Sequence, residues 1–119
     1  AILPVFAPDE VVRQQLACIR EEDFLRAFGL TSEANQARWC SAGRFTSVLK
    51  THDDFRRLLV EDTVVVLENM SAKDKMATVR VELAKHDDLR AARLMWTLVL
   101  EIKLQDAPCW RTEKVGIVQ

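Results

Sequence analysis

Glu61-Asp62-Thr63-Val64-Val65-Val66-Leu67-Glu68-Asn69 is the stretch on which the reading of the fold turns. A threonine and three consecutive valines place branched carbons at every Cβ, which suits a pleated, half-buried surface and predicts a strand. Beyond it, Ser71-Ala72-Lys73-Asp74 reads as a turn. Residues 76–84 then alternate, with Ala77, Val79, Val81 and Leu83 facing one way and Thr78, Arg80 and Glu82 the other, as in an antiparallel strand covered on one side. His86-Asp87-Asp88-Leu89-Arg90 is a polar loop. Residues 92–104 form a long strand, with Leu94, Trp96, Leu98, Leu100 and Ile102 on one face and Met95, Thr97 and Val99 on the other. Gln105-Asp106-Ala107-Pro108 is the last turn, and 109–118 is a final strand carrying Trp110, Thr112, Val115 and Ile117.

Upstream of Glu61 the period changes from two to that of a helix. Pro8-Asp9-Glu10 opens a helix, with proline in the first turn and early acids at the positive end of the macrodipole, although Ala7 offers no side-chain cap. Val12, Leu16, Ile19, Leu25, Ala27 and Phe28 continue an apolar stripe, so a helix is expected over 9–28 with a break near Asp23. Gly29 is placed to end it in a left-handed conformation. Thr31 or Ser32 caps a second helix carrying Ala34, Ala37 and Trp39, which Ser41-Ala42-Gly43 breaks. A third runs from Arg44 to about His52, with Phe45, Val48 and Leu49 on one face, and Asp53-Asp54 restarts a turn ending at Leu58-Leu59. Helices followed by four strands in hairpin succession predict an α+β fold, with an antiparallel sheet curling over the helices.

The chain has 119 residues, 17 Lys and Arg against 18 Asp and Glu, and a formal net charge of −1. One domain is expected over 8–118, preceded by an apolar arm at 1–7 that packs on the domain or on a partner. Charges are interleaved, with no basic face for phosphates, which argues against nucleic acid as a partner. No apolar run is long enough to form a transmembrane helix. The chain begins at Ala1 and not at Met, as a processed form or one lacking its terminus would. Cys18, Cys40 and Cys109 form an odd set without CxxC spacing, which excludes a full disulfide framework and disfavours a cysteine zinc site. They read as small buried or half-buried thiols, with one bridge as the alternative.

A set of short segments runs in order through most of 8–118: Pro8-Asp9-Glu10-Val11-Val12 with Gln15-Leu16, an acidic turn at Asp23, Phe28, Ser32-Glu33-Ala34-Asn35, Arg44-Phe45, Val79-Arg80-Val81, Trp96-Thr97-Leu98 and a closing Cys109-Trp110-Arg111-Thr112. This set resembles a domain family of unknown function found in bacteria, cyanobacteria and photosynthetic eukaryotes. The element order resembles the wider superfamily of nuclear transport factor 2 and ketosteroid isomerase. The chain departs from that domain family in having Ala107-Pro108 where it has a glycine-rich stretch, and in having no tyrosine. The resemblance implies a cone-shaped fold, with N-terminal helices packed in a curved antiparallel sheet of about four strands. It also implies an apolar pocket between helices and sheet.

Enzymes that the resemblance brings in use a pocket Asp or His base with tyrosine hydroxyls on a carbonyl. Without tyrosine, that apparatus is missing here. Asp23 and His52 are the candidate bases, and both have plainer readings: Asp23 in ion pairs with Arg20 and Arg26, His52 as a turn residue ahead of Asp53-Asp54. His86-Asp87-Asp88 is read in the same way. Phe28, Phe45, Trp96 and Trp110 are assigned to the pocket, with core packing as the plainer role for the tryptophans. Cys109 is a weak candidate thiol. No metal and no cofactor are expected. The favoured expectation is a non-catalytic binding or scaffold domain that docks or dimerises by its sheet face. An accessory subunit in a plastid complex of a photosynthetic organism, in stroma or lumen and peripheral to a membrane, is the setting the resemblance implies. The alternative is a small isomerase, dehydratase or hydrolase acting on an apolar molecule.

Overall fold

The computed structural model describes residues 6–71, 73–83, 92–102 and 107–118. It contains α1 (Pro8–Arg20), α2 (Phe24–Gly29), α3 (Glu33–Trp39), α4 (Ala42–Thr51), a 3₁₀ turn (Phe55–Leu59), and strands β1 (Thr63–Ser71), β2 (Met76–Leu83), β3 (Ala92–Glu101) and β4 (Cys109–Val118). Of the predicted apolar arm, only Phe6 and Ala7 are among the described residues, and both are exposed. The loop at His86-Asp87-Asp88 and the turn residues Gln105 and Asp106 lie outside them.

The helix expected over 9–28 is two helices. After Arg20 the backbone closes as a Schellman motif: Glu22 takes φ 59°, its N–H donates to the Ile19 carbonyl at 3.0 Å, and the Asp23 N–H donates to Cys18 at 2.8 Å. Asp23 then caps α2, accepting from the Arg26 N–H at 3.3 Å. The expected pairing of Asp23 with Arg20 is replaced, because Arg20 reaches across to the Glu61 carbonyl (2.9 Å) and to Asp62 (3.1 Å). The restart rephases the apolar stripe, so Phe24 and Ala27 are buried and Leu25 is 73% exposed. Gly29 ends α2 without a left-handed turn, because the chain runs straight on into Leu30, whose carbonyl accepts from Thr112 N at 3.0 Å.

Ser32 caps α3 by accepting from Asn35 N at 3.1 Å. Ala34 and Ala37, expected on its covered face, are exposed, and the residue α3 buries is Asn35. The reason is that α3 is held to β4 by hydrogen bonds and not by an apolar seam. Ser41 caps α4, which buries Phe45 and Leu49.

The strands form one antiparallel sheet in the order β1-β2-β3-β4. The inward row of β2 (Ala77, Val79, Val81, Leu83) meets Leu94, Trp96 and Leu98 of β3, and against these pack Val12, Leu16 and Ile19 of α1. This is the α+β architecture, with helices first and a curved sheet over them. Two bulges bend it, one in each edge strand. Leu67 pairs with Val79 but Asn69 with Thr78, leaving Glu68 unpaired; Thr97 pairs with Lys114 but Leu98 with Thr112, leaving Glu113 unpaired. The second bulge changes the parity of β4, so that Trp110 and Thr112 face inward before it and Val115 and Ile117 after it. Among the described residues no helix is long and apolar enough to cross a membrane.

All three cysteines are free, and Cys18 is buried. Burial pushes the Cys18 thiol up from its ordinary 9.0, against the opposing pull of Arg26. Above pH 9.0 the unfolded chain therefore loses a proton that the folded chain keeps, and stability falls as pH rises. In denaturant titrations this slope is expected to flatten in Cys18→Ala. Glu22→Gly is expected to raise stability by about 0.5–1 kcal/mol in the same measurement, because glycine adopts the left-handed C′ position without the Cβ penalty.

Candidate functional site

A cavity of about 320 Å³ lies between α4 and the 3₁₀ turn on one side and the sheet on the other. That volume falls at the lower end of the range for small-molecule sites, about 300–1,000 Å³. Its apolar wall comes from Ile19, Trp39, Phe45, Val48 and Leu49 on the helices, Phe55 and Leu58 on the 3₁₀ turn, and Trp96 and Val115 on the sheet. The Phe45 ring is fixed by Phe28 (centroids 5.5 Å apart) and by the edge-on Trp39 (5.9 Å).

Of the four aromatics assigned to the pocket from sequence, Phe45 and Trp96 line it. Phe28 stands behind Phe45, and Trp110 is buried in the core opposite Leu100. Neither candidate base is in the lining. Asp23 is the exposed cap of α2. His52 is exposed at the end of α4, its ring 4.6 Å from that of Phe55, and its Nδ1 accepts from Asp54 N at 3.2 Å. Asp53 pairs with Arg56 at 3.6 Å. Cys109 is half-buried on β4, and its thiol donates to the Ala107 carbonyl at 3.4 Å. Among the described residues no group of three His, Cys, Asp or Glu side chains is placed to hold a metal ion.

The polar end of the cavity is built from residues that sequence reasoning passed over. Gln15, 2% exposed, accepts from Trp96 Nε1 at 2.9 Å and from Thr112 Oγ1 at 2.7 Å, and donates to the Ala27 carbonyl at 3.0 Å. One amide thus joins α1, α2, β3 and β4. Asn35 donates from Nδ2 to the Thr112 carbonyl at 3.2 Å. Thr31 forms a parallel bridge to Thr112 and donates its hydroxyl to the Phe28 carbonyl at 2.5 Å. The bulge turns Glu113 onto the rim, where its Oε2 accepts from Ser32 Oγ at 2.5 Å and its Oε1 from Arg38 at 3.1 Å; Arg38 also donates to the Glu113 carbonyl at 2.6 Å. The Glu113 carboxylate is thus held by a hydroxyl and a guanidinium, both of its oxygens engaged. The sequence signals for this end were Gln15 following the opening segment of α1, the Ser-x-Ala-Asn segment, the cap at Thr31 or Ser32 and the closing Cys109-Trp110-Arg111-Thr112.

Comparison with protein-family models, with curated proteins and with solved structures finds no match to this chain.

Replacing Gln15 by leucine strands the Trp96 N–H and the Thr112 hydroxyl in the interior. Gln15→Leu is expected to lower the unfolding free energy by about 2–4 kcal/mol in urea titrations. Adding Thr112→Val removes one stranded donor, so the double variant is expected to recover part of that loss.

Proposed function

We propose that this chain is a non-catalytic binding domain that holds an apolar small molecule of two or three rings in the cavity between helices and sheet. The observation that carries the reading is the cavity itself: an aromatic and aliphatic wall of about 320 Å³ whose buried amides and hydroxyls are already joined to one another. An engineered apolar cavity of about 150 Å³ takes up benzene, so this one has room for roughly twice that bulk. Chemistry has little to work with. The carboxylate in the lining, Glu113, is engaged by Ser32 and Arg38, and the chain has no tyrosine to polarise a carbonyl. The reading agrees with the resemblance to the nuclear transport factor 2 and ketosteroid isomerase superfamily, in which this concavity is the pocket.

A second reading, docking of the outer sheet face onto a second copy or a larger assembly such as a plastid complex, is favoured by a different observation. The outward row carries Val64 (58% exposed), Met76 (46%) and Val118 (40%) around ion pairs that link Glu68 to Arg80 (2.5 Å) and Glu82 to Arg80 (3.3 Å) and Arg93 (3.7 Å). Self-neutralised charges among apolar side chains suit burial better than free ones do.

Titration with naphthalene, followed by the indole N–H resonance of Trp96, separates the readings. A saturable shift that Val48→Trp abolishes by filling the cavity supports binding. No saturable shift, or an unchanged one in the filled variant, rejects it. Light scattering on the same samples reads the second proposal, which a monomer at all concentrations and without partners would count against.

A further inference from the structure

We infer that the ligand of this cavity is an amphipathic monoanion, a ring compound whose apolar body lies between helices and sheet and whose one negative charge, such as a carboxylate, meets Lys114 and Arg38 at the mouth. The inference rests on the binding reading above and adds the charge of the ligand and the end at which it is held.

Three charged residues line the cavity, Arg38, Glu113 and Lys114, and the rest of the lining is neutral. Arg38 and Glu113 are bonded to one another and Lys114 is the next residue of β4, so the charge is gathered at one end. Glu113 has both carboxylate oxygens engaged, by Ser32 and by Arg38. Lys114 is exposed and has no carboxylate partner among the described residues. Two cations against one engaged anion leave the lining with one positive charge in excess.

The bulge in β4 produces this excess. A regular strand offers a cavity every second side chain. Between inward Thr112 and inward Val115 the strand has two residues where alternation allows one, and both, Glu113 and Lys114, are in the lining. Arg38 adds a second donor group. Its bonds to the Glu113 carboxylate and carbonyl both come from Nη2, so Nη1 and Nε have no acceptor among the described residues. An ammonium on β4 and the open side of a guanidinium on α3 thus flank Glu113.

Electrostatics selects among ligand classes. A cation would approach two cations and a carboxylate that is already engaged. A neutral molecule would gain nothing from Lys114. An anion keeps its charge at the mouth, where Arg38 and Lys114 are exposed, so it loses little hydration while gaining charge-assisted hydrogen bonds. Deeper in, Gln15 and Thr112 are bonded to each other, and Trp39, Phe45 and Trp96 receive the rings.

Calorimetry on the unaltered protein at low salt compares three probes of one skeleton and nearly one size: 2-naphthoate, 2-naphthamide and 2-naphthylmethylammonium. The carboxylate is expected to bind about fivefold more tightly than the amide, and the ammonium most weakly. Raising the salt to about 0.5 M is expected to shrink the advantage, since the charges lie at the surface. Lys114→Gln is expected to bring the carboxylate down to the amide, and Lys114→Glu to place it below. Lys50→Gln, which removes a cation that lies over Phe24 outside the lining, is expected to keep the order. An amide that equals the carboxylate, or an ammonium that binds tightest, overturns the charge assignment while leaving the cavity a binding site. An advantage of the carboxylate that survives Lys114→Gln and Lys114→Glu overturns the role of Lys114. If none of the three binds, the binding reading fails and this inference with it.

Discussion

The side chain of Gln15 holds the molecule's layers in one arrangement. It sits in the middle of α1, fully covered, and its three hydrogen bonds end on α2, β3 and β4. Helix packing against a sheet by apolar contact alone tolerates sliding, because one methyl substitutes for another at little cost. A buried amide does not, since any shift leaves a donor or acceptor without a partner at a cost of about 1–3 kcal/mol per group. The depth of the cavity follows from the same bonds. They set the distance between α1 and the floor formed by Trp96 and Thr112, and α4 and the 3₁₀ turn close over the remaining space.

Where strand and helix periods carry the information, sequence reading comes close to the structure. Val79 and Val81 are inward because they alternate with Arg80 and Glu82, and the 3₁₀ turn begins at Phe55, just past Asp53-Asp54. The break near Asp23 is legible as well, although Asp23 reads there as an ion-pair partner of Arg20 and Arg26, and its role as the cap of α2 comes from the structure. The reading falls short where a polar residue belongs to the interior. Gln15 and Asn35 have the composition of a solvent-facing position, and their partners lie 81 and 77 residues away, at Trp96 and Thr112. No local period reports contacts at that separation. Leu25 shows the converse error: an apolar residue at helical spacing is exposed because the helix restarts at Phe24, just before it.

The bulges explain why the last strand was read correctly without its geometry being seen. Trp110, Thr112, Val115 and Ile117 cannot all share a face of a regular strand, since two are even and two odd. An extra residue reconciles them, and Glu113 is that residue. The same distortion that bends the sheet lifts the Glu113 carboxylate to the rim and gives Ser32 and Arg38 their anchor. Fold and site share this feature, and α3, too short and too polar to pack by itself, is positioned by it.

Residues 30–32 also have an effect on the far side of β4. Leu30 and Ser32 occupy the outer N–H and C=O of Thr112, and Arg38 takes the carbonyl of Glu113. Templated growth of a sheet requires two open borders, one to receive a strand and one to offer the next. With Thr112 already bonded on both sides, a strand adding along β4 would first have to displace residues 30–32, which weighs against pairing at that edge.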